Sequence, residues 1–543
     1  MNKHIKCYKE QYNKGEIKVS KYVVMLFDYL DKHVLNRDDI YFDNEMHDNY
    51  IKFTEKHYFP LQPFQKFITA FVFLYYKDGG HPFFAQFFLY MARGAGKNGL
   101  ISSLVHFLIS DLHGIDNYNV SIVANSEQQA KTSFNEVYDI IDMAEDDSAL
   151  RTLFNHKKAE IKGTNGSTMK YHTSNAKTKD SLRDGCVIYD EVHEYADSQI
   201  VDVFSSGLGK VKHAREFFIT TDGFVRGGYL DDMKKRAINV LKGEVLDDHL
   251  FVFMATLDED SEMDDEDNWQ KANPMFNKPL TPYAEELFRT VKRQYVSLGN
   301  SKPSARIRFM TKRMNSPAED LETSVATWDE IEATNKPFPD LENKSCIGGI
   351  DFASIRDFLA VGLLFKIDGE YIWKTHSFAR KGFLDNVDLK PPIYEWQEQG
   401  LLTIVDEPVI SVQHAVDWFV SMRERYGLKT IVADTYRLDL VKSALEAEGF
   451  EIMYIRTKGI ESLLAPRIET MFAERKVTFG DNPLMRWYTN NVTVTMDKKG
   501  NKTYGKKDEN RRKTDGFHAF IHALYRDDLI EEEVDFMLSG INF

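Results

Sequence analysis

Apolar residues fall in two rhythms along this chain. From residue 58 to about 230, short unbroken runs (FFAQFFLYMA, VSIVAN, GCVIYDE and EFFITT) alternate with stretches whose apolar positions recur every three or four residues. NGLISSLVHFLISDL and EQQAKTSFNEVYDIID are the clearest of the second kind. Buried strands separated by amphipathic helices predict a parallel sheet. Residues 1–57 read as helical and polar, with an apolar stripe around YVVMLFDYL. LDEDSEMDDEDNW, residues 257–269, carries eight acidic side chains and reads as a solvated loop. Helical stretches follow in EELFRTVKRQYVSLG and ARIRFMTKRMN. Residues 321–344 have little apolar periodicity and lie in a proline-containing stretch, which predicts a linker.

A second α/β pattern starts at 345. SCIGGIDFA, LAVGLLFKI and DGEYIWKTHSFA predict strands in a hairpin arrangement. AVDWFVSMRERYG and LDLVKSALEAEG predict helices on either side of a strand, LKTIVADTY. VTVTMDKKGNKTYGKK predicts a β-hairpin, and GFHAFIHALYRD a closing helix.

Composition narrows this picture. A chain of 543 residues exceeds one ordinary core, so two or three domains are expected. The net charge of −15 argues against a general polyanion binder, while leaving room for a local basic groove. Three scattered cysteines argue against a disulfide framework or a zinc site, and fit a reducing cytoplasm. The first residues lack the apolar core of a signal peptide. The longest apolar run, FITAFVFLYY, is too short to cross a bilayer.

Candidate chemistry appears first at MARGAGKN, residues 91–98, between a predicted strand and a predicted helix. Against the phosphate-loop pattern, Met91 replaces the first glycine and Asn98 the usual hydroxyl. Gly94 and Gly96 let the backbone curl its N–H groups inward, Ala95 between them is a further candidate ATP-binding residue, and Lys97 offers a point charge to the β- and γ-phosphates of ATP. Arg93 is placed to reach the γ-phosphate in cis. About ninety residues on, the apolar run CVIY leads into Asp190 and Glu191. Asp190 is expected to hold Mg²⁺ through water, and Glu191 to activate the attacking water. Asn98 suits that metal less well than a hydroxyl. Gln65, in LQPFQ, is a candidate reader of the adenine edge. Thr220 and Thr221 end a strand and are candidate sensors of the γ-phosphate.

A second constellation is spread over the C-terminal part. Asp351 ends GGID, Asp434 follows TIVA, and Asp515 opens a helix whose Ala519 and Ala523 share its face. Small residues there allow the helix to approach a sheet. Three carboxylates from two strands and a helix suit two divalent cations, Mg²⁺ or Mn²⁺, acting on a phosphodiester. Asp357 is a candidate fourth ligand. The stretch 496–515 is rich in basic residues, among them Lys498, Lys499, Lys506, Lys507, Arg511 and Arg512. It predicts contact with a polyanionic substrate.

The ordered set LQPFQ, ARGAGKN, VIYDE, FFITTDG, WQKANP, FMTKRMN, GGIDFASIRD, IVADTY and KTDGFHA resembles the large terminase subunit of tailed bacteriophages, over about residues 58–525. The resemblance implies a helical extension at 1–57, a P-loop ATPase motor domain at 58–320, and a ribonuclease H-like nuclease domain with a mixed sheet at 345–543. It implies ATP-driven translocation of double-stranded DNA into a procapsid, and cutting of concatemeric DNA. Its partners would be a portal protein and a small terminase subunit. The chain would form a homo-oligomeric ring on the procapsid, be monomeric in solution, and act in the host cytoplasm without a membrane. Two other readings stay open: a helicase-nuclease of repair or restriction, and a non-hydrolysing ATP-binding assembly protein.

Overall fold

The computed structural model describes residues 2–531 except 146–147, 174–182, 196–197, 225–227, 246–248, 301–302, 317–323, 356, 388, 390, 436–437, 456–458, 498–499 and 507–511. The chain divides into two compact units, Met1–Ala318 and Glu319–Phe543.

In the first unit, β1 (Ile40–Phe42) and β2 (Leu74–Tyr76) form a small antiparallel ribbon. The main sheet contains β3 (Gln86–Tyr90), β4 (Asn119–Ala124), β5 (Phe154–Lys157), β6 (Glu160–Gly163), β7 (Thr168–Thr173), β8 (Asp184–Asp190), β9 (Arg215–Thr220) and β10 (Leu250–Met254). Its order is β10-β3-β9-β8-β4-β7-β6-β5. The strands from β10 to β7 run parallel, and β6 and β5 are antiparallel. Parallel strands covered on both faces are apolar throughout, and every residue of β8, β9 and β10 is buried.

Strand β10 is absent from the sequence-based expectation, which ends the alternation near residue 230. It nonetheless pairs with β3, Leu250 opposite Gln86. The N-terminal helices Lys3–Asn13, Lys21–His33 and Asn44–His57 share the core of the sheet through Ile5, Tyr8, Leu26, Leu30 and Tyr50. The acidic stretch is more engaged than a solvated loop. Lys271 pairs with Asp258 and Glu262, Lys292 with Glu266 and Lys278 with Asp267, while Met263 and Trp269 are buried.

β9 is anchored at its start. Arg215 is fully buried, and its guanidinium donates to Tyr118 Oη, Tyr75 Oη and the carbonyls of Val72 and His213. A buried cation survives only with such partners.

The second unit holds β11 (Ser345–Asp351), β12 (Leu359–Ile367), β13 (Glu370–Arg380), β14 (Leu402–Val405), β15 (Gly427–Ala433), β16 (Glu451–Tyr454) and β17 (Val477–Thr478). Their order is β14-β13-β12-β11-β15-β16, with β17 also beside β13. β11, β12 and β13 form an antiparallel meander, and β15 and β16 continue in parallel from β11, so the sheet is mixed. β18 (Val492–Met496) and β19 (Lys502–Lys506) make a separate hairpin. Val325, Ala326 and Ile331, within the stretch read as linker, are buried in this unit's core.

Helix Asp515–Leu524 crosses β11 at Gly349. A Cβ there would sit 2.1 Å from Ala519 O and 3.0 Å from Ala523 Cβ. The small-residue face expected of that helix is therefore the face that meets the sheet.

Candidate functional site

The carboxyl ends of parallel strands are where open α/β sheets bind ligands. Here β3, β9 and β8 bring Tyr90, Thr220 and Asp190 to one edge, with β9 in the middle. After Tyr90 the chain turns through Gly94 (φ +90°) and Gly96 (φ +74°), both in the left-handed region. Ala95 is buried in this turn. Helix Lys97–Leu108 begins without a side-chain cap, which leaves its first N–H groups for a ligand. A cavity of about 540 Å³ opens there, lined by Arg93, Gly94, Gly96, Lys97, Asn98, Asp190, Glu191 and Thr221 among others.

Lys97 Nζ is buried and donates to Met91 O (2.6 Å), Ala92 O (3.0 Å) and Thr221 Oγ1 (2.9 Å). Burial pulls its pKa down to about 8, against the upward pull of Glu191 and Asp190. Asn98 Nδ2 donates to Asp190 Oδ2 at 3.0 Å. Burial and the adjacent Glu191 push the Asp190 carboxyl up to about 7. Glu191 has φ +52°, a costly conformation for a non-glycine residue. Burial acts to raise its pKa too, yet His193, Lys97 and Lys312 outweigh it and hold the carboxyl down at about 2. The neighbouring acids are thus driven apart, one near neutrality and one fully ionised, as acid–base pairs require.

Thr220 Oγ1 accepts from His193 N–H (3.1 Å) and donates to Thr221 O (2.8 Å). Gln65 is buried behind the loop, where a Cβ on Gly96 would lie 3.3 Å from its Nε2. It is not among the residues lining the cavity. Its Oε1 accepts from Gln62 N–H, which closes a helix cap and leaves the amide nitrogen as its available group. Arg93 is exposed at the cavity, with its N–H donating to Lys312 O at 2.9 Å. Neither His193 nor Lys312 has an expected role from the sequence alone: Lys312 lies in FMTKRMN, and His193 two residues beyond VIYDE. Their signal is a basic side chain close after Glu191 and another in FMTKRMN.

In the second unit, β11 and β15 are parallel neighbours with Ile350 opposite Ala433, so Asp351 and Asp434 leave adjacent strand ends. Asp515 opens the helix packed on β11. Burial, then the charges of Asp515 and Asp434, push the Asp351 carboxyl well above its ordinary range. Burial and Asp357 push Asp515 up to about 7. Asp515 Oδ2 is buried with no hydrogen-bond partner. Among the described residues, no group of three or more acidic, histidine or cysteine side chains is placed to hold a metal ion. Repelling, desolvated carboxylates with an unused oxygen still fit hard divalent cations in their donor chemistry.

Asp357 is occupied: Lys506 Nζ (2.8 Å) and Lys513 Nζ (2.6 Å) both lie on its Oδ1. A proposed fourth ligand and a proposed DNA contact thus pair with each other. The cause is the hairpin, which turns Lys506 inward so that its side chain keeps only 17% exposure. Arg512 Nη1 donates to Asn491 Oδ1 at 3.1 Å. Lys498, Lys499, Lys507 and Arg511 lie outside the described residues.

A parallel sheet with a phosphate-loop turn at its carboxyl end, followed by a mixed sheet with aspartates at neighbouring element ends, is the arrangement expected of an ATPase joined to a metal-dependent nuclease. Sequence comparison gives the family. The terminase large subunit ATPase domain matches residues 63–238, and the terminase large subunit endonuclease domain matches residues 244–531. The chain belongs to the terminase large subunit family. It is 23% identical over 457 residues to the terminase large subunit of Lactococcus phage p2, covering 81% of each chain. It is 25% identical over 370 residues to protein YmfN of Escherichia coli K12, covering 64% of this chain and 78% of that one. Among solved structures, the HK97 bacteriophage large terminase is 18% identical and covers 88% of this chain and 99% of its own, with a TM-score of 0.47. The protein is accordingly a phage DNA-packaging motor that hydrolyses ATP, uses divalent metal and cuts DNA. Neither a repair helicase-nuclease nor a non-hydrolysing assembly protein finds support. No helix among the described residues is long and apolar enough to cross a membrane.

Proposed function

We propose that the two activities divide between the two constellations. Lys97 and the loop Arg93–Asn98 hold the ATP phosphates, and Arg93 balances charge on the γ-phosphate. Asn98 and Asp190 face its Mg²⁺. Glu191 orients the attacking water, and Gln65 contacts the adenine through its amide nitrogen. Thr220 and Thr221 couple phosphate loss to movement. The motor occupies residues 58–320 behind a helical extension, 1–57, and the nuclease occupies 345–543, joined by 321–344, a segment whose Val325, Ala326 and Ile331 pack into the nuclease core. Strand order carries the motor reading: β9 lies between the loop strand and the acidic strand, so its two threonines adjoin both.

Asp351, Asp434 and Asp515 would hold a pair of Mg²⁺ ions, with Mn²⁺ able to substitute. Asp357 would join them only by giving up its lysines. Such cations supply an activated water and stabilise the leaving oxygen. The chain's own contribution is to hold the three carboxylates on rigid element ends and to bring Lys506 and Lys513 beside them. Lys498, Lys499, Lys507, Arg511 and Arg512 would follow the phosphates of double-stranded DNA. In the host cytoplasm, a ring of copies on the procapsid would meet a portal protein and a small terminase subunit, and single copies would circulate in solution.

The test is a separation of function. Asp515→Asn should lose cutting of a plasmid and keep phosphate release from ATP. Glu191→Gln should keep nucleotide binding and cutting, and lose turnover by about two to four orders of magnitude. Loss of both activities in either variant would overturn the division.

A further inference from the structure

His193 stands between three groups that belong to different parts of the motor. Its Nδ1 lies 3.1 Å from Glu191 Oε2 and 3.1 Å from Thr220 Oγ1. Its Nε2 lies 3.0 Å from Lys312 Nζ. Lys312 comes from helix Pro303–Arg313 and also donates to Asp222 O at 2.8 Å.

The donor inventory fixes the proton. An ammonium only donates, so Nε2 must accept from Lys312 and the ring hydrogen must sit on Nδ1. The Thr220 hydroxyl spends its own hydrogen on Thr221 O, so it can only accept from His193. Nδ1–H therefore bonds Thr220, and Glu191 Oε2, which is buried and accepts no hydrogen bond, lies 3.1 Å from the same nitrogen, within reach of its hydrogen.

We infer that His193, held in its Nδ1–H tautomer by Lys312, is the positioning residue that orients the Glu191 carboxylate toward the attacking water. A base held by an orienting donor, itself fixed by a third group, is a recurring arrangement in catalysis. Lys312 thereby ties a helix distant in sequence to the hydrolytic step. Thr220, which accepts the Nδ1 hydrogen, ties the strand that borders the phosphate loop to it as well.

The inference rests on the reading of Glu191 as the catalytic acid, and the experiment separates the two. Steady-state ATP hydrolysis by the full chain is measured for Glu191→Gln, His193→Ala, His193→Asn, His193→Gln and Lys312→Met, with binding of a non-hydrolysable ATP analogue and thermal unfolding as checks on the fold. His193→Ala should lower kcat about ten- to a hundredfold with KM nearly unchanged, the mark of an interaction made in the transition state. Asn carries an amide hydrogen at the Nδ1 position and should restore much of kcat; Gln, whose amide falls at the Nε2 position, should not. Lys312→Met should lower kcat, and combined with His193→Ala should add little, because both act through one contact. Wild-type kcat in His193→Ala, equal failure of Asn and Gln, or additive losses in the double variant would overturn the inference, provided Glu191→Gln is inactive. An active Glu191→Gln would overturn the reading of Glu191 itself. If His193→Ala fails to fold, the Asn–Gln contrast decides.

Discussion

Asn98 commits its amide nitrogen to Asp190, so only its amide oxygen can turn toward a cation. Serine or threonine there would give up that bond and offer a hydroxyl, which suits Mg²⁺ better. Asn98→Ser should lower the Mg²⁺ concentration that half-saturates ATP hydrolysis several-fold, and an unchanged titration would remove Asn98 from the metal. Lys97 yields a pH dependence. Its pKa of about 8 means that the amine loses its charge as pH rises through that value. Phosphate binds the charged form, so the affinity for an ATP analogue should weaken from a unit below to a unit above it. Lys97→Arg should flatten the slope, because a guanidinium stays protonated; an equal slope in both proteins would assign the effect elsewhere. The main acids and the loop lysine were legible in the sequence because each sits at an element end, in a run that announces the element. The pairings of His193 with Lys312 and of Asp357 with Lys506 were not. They join residues more than a hundred positions apart, and no local pattern encodes such a meeting.

At the scale of elements, Gly349 decides how closely the Asp515 helix approaches β11. Gly349→Ala forces a Cβ against Ala519 O, so the helix must shift and carry Asp515 with it. Overpacking of this kind costs about 1–3 kcal/mol. DNA cutting should fall sharply while ATP hydrolysis stays, a contrast visible in parallel assays of one preparation. Retained cutting would mean that the helix tolerates displacement. The spacing of Ala519 and Ala523 made this approach readable in advance. Strand β10 shows the opposite case. Its five apolar residues are too few to reveal a period, they stand between polar stretches, and only the open edge of β3 makes them a strand.

Across the whole chain, Val325, Ala326 and Ile331 belong to the core of the second unit. A fragment from residue 324 to the end should therefore unfold at a higher temperature than one starting at 345, and should cut DNA with Mg²⁺. Equal stability of the two fragments would show these residues to be dispensable. The second unit also carries a charge problem. Asp351 and Asp515 have folded pKa values raised above the unfolded ones, so their stabilising contribution is full below the ordinary carboxylate range. It is lost as pH rises, near 7 for Asp515. In chelator, the melting temperature should drop as pH rises through neutrality. Mg²⁺ should recover much of the loss, and Asp515→Asn should shrink it. A melting temperature indifferent to pH and metal would show that the carboxylates do not strain the fold.

One strand acts as a ruler. β9 is clamped at its start by Arg215, and at its end Thr220 and Thr221 address different neighbours, His193 and Lys97. Successive strand residues face opposite ways. A single residue inserted between clamp and threonines would leave the anchor in place and turn each threonine to the opposite face, away from its partner at the ATP site. The interval from Arg215 to Thr221 is therefore a calibrated length. Insertion scanning should find it intolerant of even one added residue, including additions that leave the protein folded and able to bind nucleotide.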